Sequence, residues 1–154
     1  MTNPLGTDQV AQVALVVHDI ETSKKAWAAF LGHEVPDTID AGEYETTQTV
    51  YRGEPSPKAG CLMAFFDVGP GLQIELIQPN HAPSNWREHL DAHGESVHHL
   101  AFNVEDTSAK LTAAEKMFGW PTIQRGYYGD ASGEYAYIDS KTDLGVVIET
   151  LERF

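Results

Sequence analysis

The chain is short of cysteine, short of cations and free of long apolar runs, and each shortage removes a class of protein. Its one cysteine, Cys61, has no partner for an internal disulfide. It lies in the apolar run CLMAFF, where a small buried residue is the expected role. No cysteine spacing suggests a structural zinc site. Lys and Arg number 10 against 23 Asp and Glu, a formal net charge of −13. Nucleic-acid phosphates and anionic membrane faces demand the opposite sign, so neither is an expected partner. Charge of one sign is first a solubility property and does not exclude a small anionic substrate. No stretch approaches the length of a membrane span. The opening MTNPLGTDQ has no basic n-region and no apolar h-region, so no secretion signal and a soluble, cytoplasmic protein are expected.

What remains is an ordinary globular composition, 42% apolar and 21% charged over 154 residues. That length suits one domain burying about two-thirds of its unfolded surface. The chain repeats itself. QVALVVHDI from Gln12, followed by helical sequence up to Gly32, returns without a gap as HLAFNVEDT from His99, followed by helical sequence up to Gly119. LQIELI around Glu75 returns as VVIETL around Glu149. Each half thus carries one amide or imidazole on its opening strand and one carboxylate on its closing strand. Paired halves would bring Gln12, Glu75, His99 and Glu149 together, and two carboxylates, an amide oxygen and an imidazole form a plausible divalent-metal set.

The expected unit is strand, helix, then about three strands. Module one covers about 9–79, a connector with one short helix in SNWREHLDAHG covers about 80–96, and module two covers about 97–151. In the first unit VAQVALVV reads as a buried strand. Asp19 or Thr22 serves as helix cap and Gly32 as C-cap. Trp27 and Phe30 read as a core stripe at helical spacing. Residues 41–52 read as a threonine-rich strand, and 61–68 and 72–79 as two strands joined at Gly69-Pro70-Gly71. In the second unit a helix runs from Asp106 or Thr107 to Gly119, and a hairpin near Lys141–Gly145 leads to the closing strand. One curved sheet per unit cannot hide both faces alone. Two units side by side give an α+β half-barrel around a cavity, helices outside. Strand alternation then puts Ala14, Ala101 and Asn103 on the cavity face and sends His98 to the opposite one. Only the repeat register favours His99 over His98 as the ligand.

At QVALVVHDIETSKKAW, FFDVGPGLQIELIQP, GESVHHLAFNVED and LGVVIETLE the chain resembles the vicinal oxygen chelate superfamily (glyoxalase, bleomycin resistance and dioxygenase proteins). The resemblance covers roughly residues 9–151 and implies two tandem βαβββ modules around a metal. It places the metal ligands at Gln12, Glu75, His99 and Glu149, on one divalent ion (cobalt, nickel, manganese, zinc or iron). It implies a substrate with vicinal oxygens and a homodimer. The framework looks most like methylmalonyl-CoA epimerase, and the ligand set leans toward glyoxalase I, which can have glutamine at the first position. The strand CLMAFFDV lacks the second base that some epimerases carry. No basic cluster for coenzyme A phosphates stands out.

The expected chemistry is Lewis-acid polarisation of a carbonyl, with Glu75 and Glu149 as both ligands and proton carriers. Asn103 is the candidate substrate contact. Blander roles stand beside these. Glu75 and Glu149 suit solvent-facing edge strands, His99 a hydrogen-bonded core position, and Gln12 a buried hydrogen bond. Tyr127, Tyr128, Tyr135 and Tyr137 suit packing, and His18, His33, His81, His89 and His93 suit solvated surfaces. Two other classes stay open: a metal-free drug-sequestering protein, and an extradiol-type dioxygenase needing two histidines and one carboxylate.

Overall fold

The repeat of sequence is a repeat of fold. The computed structural model describes residues 2–154. In chain order the elements are β1 (Gln12–Val16), α1 (Ile20–Leu31), β2 (Ile39–Asp40), α2 (Tyr44–Thr47), β3 (Val50–Tyr51), β4 (Glu54–Pro55), β5 (Cys61–Gly69) and β6 (Leu72–Pro79). There follow α3 (Asn85–His93), β7 (Ser96–Asn103), α4 (Thr107–Phe118), β8 (Thr122–Tyr127), β9 (Gly133–Ile138), α5 (Lys141–Leu144) and β10 (Val147–Arg153). The two long helices start and stop alike. Asp19 accepts from the backbone N–H of Glu21 and Thr22, Asp106 accepts from that of Ala109, and Gly32 and Gly119 both end their helices at φ 72°. No helix among the described residues is long and apolar enough to cross a membrane.

All ten strands form one curled sheet in the order β2-β5-β6-β1-β7-β10-β9-β8-β3-β4, an α+β half-barrel. At its centre β1 and β7 run antiparallel, pairing Gln12 with Ala101 and Ala14 with His99. Those two pairs exchange under the repeat, so the pseudo-twofold axis passes between them. Beside them β6 and β10 run parallel to their module's first strand, which sets Glu75 opposite Ala14 and Glu149 opposite Ala101. Both alanines are fully buried. A methyl group at each point leaves room beside it for a longer neighbour.

The convex face is covered by helices. Val17, Ile20, Ala28, Ala64, Phe66 and Leu76 pack under α1, and Leu111, Ala114, Ala136, Ile138 and Ile148 pack with α4. The concave face is filled at one end by α3, whose Trp86 and Leu90 join Ala14, Val16, Ile77 and Val147. The other end stays open.

Three expectations need correction. Phe30 is 82% exposed. The row of α1 that faces the sheet is Ile20, Lys24 and Ala28, spaced by four, and Phe30 lies about 200° around the helix from Ala28. Residues 41–52 are not one strand, since only Val50–Tyr51 among them is extended and paired, as β3. β2 pairs with β5 at one edge of the sheet, while β3 pairs with β8 at the other, so the chain between them crosses the open side of the half-barrel. α2 makes the crossing and ends at Gln48 in the left-handed region, φ 47°. Gly42 (φ 107°) passes close to the second module, where a Cβ would lie 2.7 Å from the Gly129 Cα. The connection near Lys141–Gly145 joins antiparallel β9 and β10 as expected, but through the helical turn α5, closed by Gly145.

The two phenylalanines test which face is core. Phe66→Ala should cost about 3–5 kcal/mol and Phe30→Ala less than about 0.5 kcal/mol, measured by urea unfolding. Equal costs would contradict the helix orientation.

Candidate metal centre

Strand alternation sets Gln12, Glu75, His99 and Glu149 on the concave face. β6 and β10 are interior strands, so their carboxylates are not on solvated edges. Glu75 and Glu149 are buried at 6% and 4% exposure, and His99 is wholly buried. The three residues offer ligand atoms that all lie within 4.8 Å of one another. His99 Nε2 is 2.8 Å from Glu149 Oε2 and 3.4 Å from Glu75 Oε2.

The 2.8 Å approach is an ion-pair distance without hydrogen-bond alignment. His99 Nε2 and Glu149 Oε2 are both buried and both without a hydrogen-bond partner. Two atoms bound about 2.1 Å from one ion lie about 3.0 Å apart at right angles and about 3.4 Å apart at the tetrahedral angle. The 3.4 Å separation is of that size and the 2.8 Å one slightly shorter. Two buried carboxylates and an imidazole, with His99 Nε2 and Glu149 Oε2 left without partners, suit a divalent ion of the borderline or harder kind.

Gln12 lines the same cavity. Its Nε2 donates to Gln73 Oε1 at 3.0 Å, and Gln73 Nε2 donates to Asp67 Oδ1 at 2.9 Å. That chain occupies the amide nitrogen and leaves the oxygen as the atom suited to an ion.

Burial acts on both histidines and on Glu149. It lowers the proton affinity of the His99 imidazole, but Glu149 and Glu75 outweigh it and hold the pKa up at about 9. Burial raises that of Glu149, opposed by His99. His98 is pushed well below the ordinary histidine range, first by burial and then by His99.

His98 departs from the expected alternation. β7 shifts register between Ala14 and Leu15, so that Leu15 pairs with Val97 and His98 is the extra residue of a bulge. Both histidines therefore turn inward, their Nδ1 atoms 2.8 Å apart. His89 is buried rather than solvated, with Nε2 2.9 Å from Ser96 Oγ. Burial, then Lys141 and His93, depress its pKa to about 4.

The open end of the half-barrel is a cavity of about 900 Å³ whose walls include Glu75, Glu149, Asn103 and Trp86. Tyr127, Tyr128, Tyr135 and Tyr137 line it as well, so the tyrosines read as packing form its aromatic wall. Two features were not anticipated. Arg153 is the one cation on this wall among the described residues, with its guanidinium 5.9 Å from the Tyr128 ring. The alternation Glu149, Leu151, Arg153 carries that signal in the sequence. Asn85 touches His98 from α3, a contact no local pattern announces.

The family model of the glyoxalase/bleomycin resistance protein/dioxygenase superfamily matches residues 11–137. The match ends before β10, so the place of Glu149 rests on the geometry. Among solved structures, methylmalonyl-CoA epimerase from Mycobacterium tuberculosis superposes with a TM-score of 0.65 at 23% identity, over 100% of this chain and 92% of that one. A hypothetical protein from Bacillus halodurans gives 0.66 at 17% identity, over 95% and 94%. A variant of Streptomyces coelicolor methylmalonyl-CoA epimerase in complex with 2-nitronate-propionyl-CoA gives 0.63 at 19% identity, over 94% of each. At these identities the likeness is one of fold. No curated protein sequence matches the chain.

The imidazole predicts a pH dependence. Its pKa rises from 6.5 to about 9 in the fold, so the pair stabilises fully below about pH 6.5 and is lost as pH climbs through about 9. Chelator-treated protein should lose thermal stability across that window, and His99→Gln should flatten the loss. A wild-type profile no steeper than the variant's would contradict the buried pair.

Proposed function

The chain belongs to the glyoxalase/bleomycin resistance protein/dioxygenase superfamily, and on that footing we propose that it is a divalent-metal-dependent isomerase, epimerase or lyase that moves a proton at the carbon beside a carbonyl. The observation that carries this is the buried cluster of Glu75, His99 and Glu149, in which His99 Nε2 and Glu149 Oε2 lack partners, beside a cavity of ligand size that Glu75 and Glu149 line. Two carboxylates and an imidazole are not the two histidines and one carboxylate of an extradiol dioxygenase. His98, the second histidine, is turned toward Asn85.

Glu75, His99, Glu149 and the Gln12 oxygen would hold the ion. When bound, it would supply Lewis-acid polarisation of the substrate carbonyl. The chain's own part is proton handling. Burial makes the Glu149 carboxylate a better proton acceptor than an exposed one, which suits removal of a proton from carbon. As the C–H bond breaks, its electron pair passes to the carbonyl oxygen and the proton to the carboxylate. The electron pair then returns to carbon, which takes a proton that Glu75, reaching the cavity from the other module, relays from solvent, while Glu149 gives its own proton back to solvent. Delivery to the opposite face gives epimerisation, and delivery to a neighbouring carbon gives the glyoxalase-type outcome. Arg153 suits one anionic group on the substrate, and Asn103 a polar one. The epimerase-like fold of the neighbours supports the first outcome.

Cobalt-loaded protein in deuterated water should wash deuterium into one class among acyl-CoA thioesters, 2-oxo acids and hemithioacetals. Glu149→Gln and Glu75→Gln should each slow that exchange about 10²–10⁴-fold. Tight binding of a ligand without exchange in any class would overturn the enzyme reading and leave a small-molecule binding protein.

A further inference from the structure

β7 turns two adjacent histidines the same way, and we infer that Asn85 and His98 are positioning residues that decide which nitrogen of His99 is free to bind an ion. The inference rests on the metal-centre reading above and concerns residues that reading does not use. It follows from donors and acceptors alone. Asn85 Oδ1 lies 2.7 Å from His98 Nε2. An amide oxygen has lone pairs and no proton, so the proton of that bond sits on Nε2. A neutral imidazole protonated on Nε2 has a bare Nδ1. No carboxylate pairs with His98 among the described residues, so nothing calls for a second proton.

His98 Nδ1 then accepts, and the atom 2.8 Å away is His99 Nδ1. His99 must donate from Nδ1. Its Nε2, between Glu75 and Glu149, is thereby the nitrogen whose lone pair an ion can use. Reversing the relay would place a proton on Nε2 of a neutral His99 and block ligation. Both rings are fully buried, so water cannot supply a different partner. Metal-ligating histidines generally have the second nitrogen fixed in this manner, most often by a carboxylate or a carbonyl. Here the acceptor is a second histidine, available because the bulge brings it inward.

The start of the relay is held firmly. Asn85 is the first residue of α3, whose Ser84 cap accepts from the Arg87 N–H at 3.0 Å. Its own N–H donates to Gln124 Oε1 at 2.7 Å, and Gln124 Nε2 donates to the Tyr135 hydroxyl at 3.0 Å. The His98 ring stands edge-on to His89 at 5.1 Å and to Tyr137 at 5.1 Å, which limits its rotation. The connector between the two modules thus reaches into the centre and sets the proton on its histidine ligand.

The first test needs no ion. Long-range proton–nitrogen NMR correlation on ¹⁵N-labelled, metal-free wild type should show His98 protonated on Nε2 and bare on Nδ1. A His98 protonated on Nδ1, or on both nitrogens, would overturn the relay. The second test titrates cobalt(II) and follows its visible spectrum. Asn85→Leu, which removes the acceptor, should weaken cobalt binding about 10–100-fold, while Asn85→Gln, which keeps a neutral amide oxygen, should recover much of it. Unchanged affinity in Asn85→Leu, or binding by Asn85→Gln no tighter than by Asn85→Leu, would overturn the relay and leave the metal centre standing. Failure of wild type to bind cobalt would instead remove the metal centre.

Discussion

Two carboxylates and an imidazole, taken out of water and crowded around one point, are the constraint on which this structure turns. Each charge removed from water costs several kcal/mol unless it is compensated, and carboxylates this close repel one another. A protonated His99 relieves the repulsion in the metal-free protein, which is why the imidazole holds its proton up to a pH of about 9. It relieves it incompletely, since Nε2 and Glu149 Oε2 are left unaligned and unpartnered. A divalent ion answers the same need better, because it brings more charge and asks only for lone pairs.

The fold exists to make that crowding possible. Two copies of one strand–helix unit meet along β1 and β7, and the exchange of Gln12–Ala101 for Ala14–His99 across the axis puts Gln12 and His99 side by side. Alanine at 14 and 101 supplies the room. Symmetry then has to break, because one end of the concave face must be closed and the other open. α3 closes one end with Trp86 and Leu90. The chain through α2 bridges the two sheet edges on the open side. The bulge at His98 breaks the symmetry once more, at the centre itself, and gives the second module an inward histidine that the first lacks.

The half-barrel, its repeats and the shared concave face of Gln12, Glu75, His99 and Glu149 were legible because they are written in local pattern. Ungapped internal repetition marks equivalent strands and helices, Asp19 with Gly32 and Asp106 with Gly119 mark matching helix ends, and alternation marks the concave face. Features set by long-range contact were not legible. Nothing in residues 41–52 says that the two ends of that segment join opposite edges of the sheet, and threonine content alone suggested a strand. Trp27 does pack against the core as expected, but Phe30 looks like core only until the sheet selects the Ile20–Lys24–Ala28 row. A bulge leaves no mark in VHHLAF, so strict alternation turned His98 outward. Asn85 is met only across the fold, which is why its hydrogen bond to His98 belongs to the structure alone.

The most direct measurement of the central claim is X-ray absorption at the metal edge on protein loaded with one equivalent of cobalt(II), alongside Glu75→Ala and Glu149→Ala. One imidazole and several oxygen ligands at about 2.0–2.2 Å, with the ion lost or its oxygen shell thinned in both variants, is the predicted result. A retained ion without an imidazole ligand, or a shell unchanged in the variants, would contradict the site, and an ion that does not bind at all would contradict it outright.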